Sequence, residues 1–179
     1  MATAPPAQRF RDNCVALTKY CATLVESANK EGFTTLDPVY IRAGVLFLEH
    51  GCAPEEMIEA FINYSHMYWA QIHSKDELFF HENVKKVFPM LDANVVDLFR
   101  SLFETRRPTG APLISQSEKD YIWKIFQSLV KIALHHISEA RQPYTKGEGV
   151  AWRDEYQYTQ VADLPALIDT WGIRKSLRV

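Results

Sequence analysis

The sequence predicts an all-α protein, a single helical domain of about six helices with a long central helix near its C-terminal part, followed by an irregular C-terminal tail. Three observations carry this. Apolar residues recur at spacings of three and four over most of the first 142 positions. Pro, Gly, Asp and Ser punctuate those stretches at helix-start and helix-stop positions. No polar and apolar residues alternate over a run long enough to argue for a sheet. The boundaries that follow are a helical core over residues 1–142 and an aromatic-bearing tail over 143–179.

The first helix is expected from about Ala7 to Asn29, because Phe10, Cys14, Leu17, Cys21, Leu24 and Ala28 form one stripe. Asp37 before Pro38 signals the second start, an N-cap carboxylate ahead of a proline that lacks the donor a first turn cannot use. Tyr40, Ile41, Gly44, Val45 and Leu48 then make its core face, with Gly51 as the stop. Pro54, Glu55 and Glu56 open a third helix, lined on one side by Ile58, Phe61, Ile62, Ser65, Trp69 and Ile72. Ser74 and Glu77 have capping-box spacing and predict a fresh start for a short helix reaching about Phe88. Asp92 caps the next, where Val95, Leu98, Phe99, Leu102 and Phe103 repeat. Residues Glu104 to Ser115 read as a loop. From Ser117 to Arg141 runs the strongest pattern, with Ile122, Ile125, Phe126, Leu129, Ala133 and His136 on one side. Beyond Pro143 only Asp163 to Trp171 suggests another short helix.

Composition narrows the function classes. With 179 residues, 47% apolar and 23% charged, the chain has material for one buried core. A net charge of −2 offers no basic face for a phosphate backbone, so no specific nucleic-acid partner is expected. No stretch is apolar over the ~20 residues of a membrane span, and the N-terminus lacks the pattern of a secretory signal. The expected setting is intracellular. Three cysteines, two of them on a buried stripe, do not suggest a disulfide framework.

The best metal candidate is His73, Glu77 and His81, whose spacings of four would share one face of a continuous helix. The Ser74–Glu77 capping box argues against it by interrupting that helix. His66 reads as surface polarity and His136 as a hydrogen-bonded core histidine. Arg106 and Arg107, and Arg174, Lys175 and Arg178, form two short cationic clusters of the kind surfaces ordinarily carry. No phosphate, acyl-transfer or zinc motif occurs, so no cofactor is expected and no catalytic residue is assigned. The tail holds Tyr144, Trp152, Tyr156, Tyr158 and Trp171, large side chains of the type that dominates protein interfaces, and these are the expected partner-binding residues.

Two stretches, residues 58–91 and 119–143, resemble helical proteins of unassigned role from large eukaryotic DNA viruses of the iridovirus, marseillevirus and phycodnavirus kind. The features are the Tyr-Trp-x-x-Ile-x-x-x-Asp-Glu-x-Phe-Phe run from Tyr68 to Phe80 and the Ile-Trp-Lys-x-Phe-x-Ser-Leu-Val-Lys-Ile run from Ile122 to Ile132. The resemblance implies a viral product, a minor capsid-associated virion component or a factor in the infected-cell cytoplasm, with other virion proteins as partners. It carries no active residue across. A non-enzymatic structural or interaction protein is therefore the leading expectation, with the His73/Glu77/His81 metalloprotein as one alternative. The other is a host-directed groove binder resembling viral anti-apoptotic helical proteins, although the Asn-Trp-Gly-Arg signature of that group is missing here.

Overall fold

A computed structural model describes residues 4–32, 37–88, 93–140, 143–146, 149–152, 161 and 164–173. Two helices of equal length form its spine: α1, Pro6–Lys30, and α7, Gln116–Ala140, each of 25 residues, or roughly 37 Å at 1.5 Å per residue. Tyr20 of α1 meets Tyr121 near the start of α7 with ring centroids 4.6 Å apart, while Arg9 lies near His135 at the other end, so the two run antiparallel. Around them stand α2 (Val39–Leu46), α3 (Pro54–Ser65), α4 (Trp69–Ser74), α5 (Glu77–Val87) and α6 (Ala93–Glu104), with a short α8 (Leu164–Thr170) in the tail. The all-α class and the long helix late in the chain are as the periodicity predicts.

Helix α7 buries a broad face and leaves a narrow stripe through Ser117, Tyr121, Lys124 and Lys131 exposed. Trp123, Val130, Ile132, Leu134 and Ile137 join the expected Ile122, Ile125, Phe126, Leu129 and Ala133 in the core, as befits a helix packed on several sides. The ring of Phe126 is its centre, with centroids of Phe80, Phe88, Phe99 and Trp123 at 4.7, 5.4, 5.9 and 5.8 Å. Such tilted and edge-on aromatic contacts add to the area buried. The start of α7 is fixed by a true capping box: Ser115 N donates to Glu118 Oε2 at 2.6 Å, and Glu118 N donates to Ser115 Oγ at 3.3 Å.

Three local expectations change. The single helix read from Pro54 to Ile72 is broken by a 3₁₀ turn at His66–Tyr68. Ser65 causes this, because its hydroxyl donates to Phe61 O at 2.6 Å, a side-chain bond that bends helices. Second, Ser74 and Glu77 form no capping box. Lys75 takes a left-handed φ of 56°, Asp76 N returns to Gln71 O at 3.0 Å, and Asp76 itself caps α5 by accepting from Phe79 N at 2.9 Å. Third, the tail holds an antiparallel hairpin, β1 (Pro143–Lys146) paired with β2 (Gly149–Trp152), registered as Tyr144 opposite Ala151 and Thr145 opposite Val150. Four residues per strand are too few for alternation to be seen in a sequence. The expected cap Asp92 lies outside the described residues.

Candidate interaction surface on the second helix

Helix α2 is expected to bury one face and solvate the other. Asp37 Oδ1 accepts from Val39 N at 2.9 Å, which starts the helix where the sequence places it. The chain then continues past Leu46 through a π turn, Phe47–Gly51. Ile41 and Leu48 are the anchors, 1% and 6% exposed, and Gly44 faces α1, where a Cβ in its place would meet Thr18 Cγ2 at 4.0 Å. The opposite face is not solvated in composition. Val39, Tyr40, Leu46 and Phe47 are 57%, 49%, 60% and 51% exposed, with exposed Ala43 between them.

Of the eight large hydrophobic residues exposed among the described residues, these four share one thirteen-residue segment, so they form a patch and not scatter. Val39, Ala43, Leu46 and His50 recur at spacings of four, three and four, the seam of a helix that packs against another helix. Gly51 sets the position of Phe47, since a Cβ at residue 51 would lie 2.6 Å from Phe47 Cδ2. Tyr40, assigned to the core face by sequence, belongs to this outer face instead.

The charges of the segment are turned toward α1. Arg42 pairs with Glu26 at 2.5 Å and Glu49 with Lys19 at 2.7 Å. The Lys19 hydrogen bond holds the Glu49 carboxyl below the usual range. These exposed pairs orient α2 more than they stabilise it. Beside them lies an open groove of about 470 Å³ between α1 and α2, floored by Ala22, Thr23, Val45 and Leu46 and rimmed by Lys19, Glu26 and Arg42. Leu46 therefore belongs to both the seam and the groove.

The residues singled out by sequence fall elsewhere. His73 lies in the last turn of α4, its ring meeting the Trp171 indole edge-on at 4.8 Å. Glu77 and His81 do come together, at 3.6 Å, but Glu77 is also paired with Lys119, and Glu104 approaches the other ring nitrogen of His81 at 3.8 Å. Opposite ring nitrogens cannot serve one ion with these two carboxylates. Among the described residues no three His, Cys, Asp or Glu side chains gather closely enough to hold a metal.

Trp171, expected to face a partner, is 4% exposed and packed on the chain's own helices. The cause is a glycine cap: Gly172 at φ 61° lets Ile173 N reach back to Ile168 O at 3.0 Å, which turns the end of α8 against the core. Tyr144 and Trp152 occupy the hairpin strands, where only the backbone is described, and Tyr156 and Tyr158 lie outside the described residues, as do Arg174, Lys175 and Arg178. Arg107 staples its loop to α1 through Glu31 at 2.5 Å, and Arg106 donates to Gly110 O at 3.2 Å. His136 is hydrogen-bonded to Glu59 at 3.1 Å, as expected of a half-buried histidine. His66 is half-buried and not simply a surface group, and burial lowers its pKa.

No family model matches this chain, and no curated protein or solved structure matches it. No helix among the described residues is long and apolar enough to cross a membrane.

Proposed function

We propose that this chain is a non-enzymatic protein-interaction module that receives an apolar helix of a protein partner across the outer face of α2 and the adjoining α1–α2 groove. The observation that carries this is the composition of α2: a helix apolar on both faces is built to be buried on both, yet only the Ile41 and Leu48 side is covered. The seam spacing fits a helix, and the small Ala43 at its middle permits close approach. The charged rim of Lys19, Glu26 and Arg42 would surround an apolar centre, the arrangement common to specific interfaces.

The resemblance to helical proteins of large DNA viruses supports a place for such a module as a minor capsid-associated component, its partner another virion protein. Mass spectrometry of purified particles against infected-cell lysate tests that setting. A photo-crosslinking amino acid at Ala43 tests the surface itself. A discrete adduct from Ala43, and none from the same group at isolated Leu78, is the expected result; equal labelling from both positions would discard the surface.

A further inference from the structure

Behind α2 the core is not filled. A cavity of about 70 Å³, partly open to solvent, lies among α1, α2, α3, α5, α6 and α7, with Ile41 of α2 and Leu48 of the π turn in one wall and Met57, Phe99 and Leu129 in the others. Interiors are close-packed as a rule, so a void of this size leaves its lining without partner atoms. Its polar neighbours are few and weak. Thr18 Oγ1 donates to Cys14 O at 2.8 Å, and burial pushes the thiols of Cys14 and Cys21 up to about 12, which keeps them neutral. A water molecule needs two or more polar partners to occupy such a place, and the lining offers only the spare acceptor capacity of Thr18 Oγ1 and two weakly polar thiols.

We infer that this cavity is a binding site for a small apolar molecule without hydrogen-bonding groups, of the size of xenon or a hydrocarbon of a few carbons. The size follows from comparison with an engineered apolar cavity of about 150 Å³ that takes benzene; half that volume excludes an aromatic ring but admits a smaller guest. Selectivity rests on chemistry, since an ion or a hydroxyl compound would lose its water contacts and gain little in return. The site is independent of the outer face of α2, which lies on the other side of that helix.

The test is methyl-resolved NMR of the full chain under increasing xenon pressure. The expected result is a saturable shift confined to methyl groups of Leu17, Ile41, Met57 and Leu129, lost in Cys21→Leu, which adds two heavy atoms to the cavity. Shifts that rise linearly without saturation, or that persist unchanged in a folded Cys21→Leu protein, would overturn the assignment. Leu129→Ala provides a second arm should Cys21→Leu not fold: the enlarged cavity should bind benzene saturably and in competition with xenon, and failure to do so would equally overturn it.

Discussion

Trp69 donates its indole Nε1 hydrogen to Ser65 Oγ at 2.9 Å, while that same hydroxyl donates to Phe61 O at 2.6 Å. Both residues are 0% exposed, and Ser65 is the buried polar side chain among the described residues. The relay satisfies the indole in the middle of an apolar wall and bends the chain into the 3₁₀ turn. Ser65→Ala would strand the indole donor without solvent, a loss of about 1–3 kcal/mol. Urea unfolding monitored by tryptophan fluorescence measures it, and a change near zero would mean that the indole finds another acceptor.

Phe126 is the hub of the aromatic cluster and is 3% exposed. Phe126→Ala should cost about 3–5 kcal/mol, the range for removing a buried aromatic side chain whose neighbours cannot close the gap. Equilibrium unfolding checks the value; less than about 1 kcal/mol would place the centre of the core elsewhere.

Much of this architecture was legible because α1, α3 and α7 have apolar stripes that tertiary packing only had to bury. Caps were less legible. Asp37 could be assigned because Pro38 follows it, whereas Ser74 and Glu77 matched a motif whose geometry was pre-empted by the left-handed Lys75. The outer face of α2 is hidden in the sequence for a related reason. Ile41, Gly44, Val45 and Leu48 account for a core face, and Val39, Leu46 and Phe47 on the reverse carry no spacing signal of their own beside it. Trp171 is buried against its own helices, and aromatic content in an irregular segment does not reveal which surface, a partner's or its own, supplies the pocket.

The His73–Trp171 contact gives the tail a measurable anchor. Trp171→Ala, or truncation after Gln142, should shift the His73 ring proton resonances as the indole ring current is lost, while the helical circular dichroism of the core persists. Unchanged His73 resonances would show that α8 does not dock there.

Burial of Cys14 and Cys21 predicts an alkaline weakness. Each thiol is raised from its ordinary 9.0 to about 12 in the folded protein. The unfolded chain therefore releases these protons first as pH rises, so their contribution to stability is intact below pH 9 and is lost between about 9 and 12. Denaturation curves across that window should show a steeper fall for the wild-type chain than for Cys14→Ala/Cys21→Ala. At pH 8, the buried Cys21 should react with a thiol reagent well after the half-buried Cys14 and Cys52. Equal rates for all three would contradict the burial.

The outer face of α2 is the centre of this account, and a single charge placed on its seam interrogates it most directly. Leu46 is 60% exposed, so Leu46→Glu should leave the melting temperature unchanged within the ordinary range for surface substitutions. Leu78→Glu, at a 73% exposed position on α5, serves as the matched control. The measurement is the yield of the Ala43 photo-crosslinked adduct in cells making each variant. Loss of the adduct in Leu46→Glu with full yield in Leu78→Glu, both at native thermal stability, is the expected result; an undiminished adduct in folded Leu46→Glu would contradict a partner on this face.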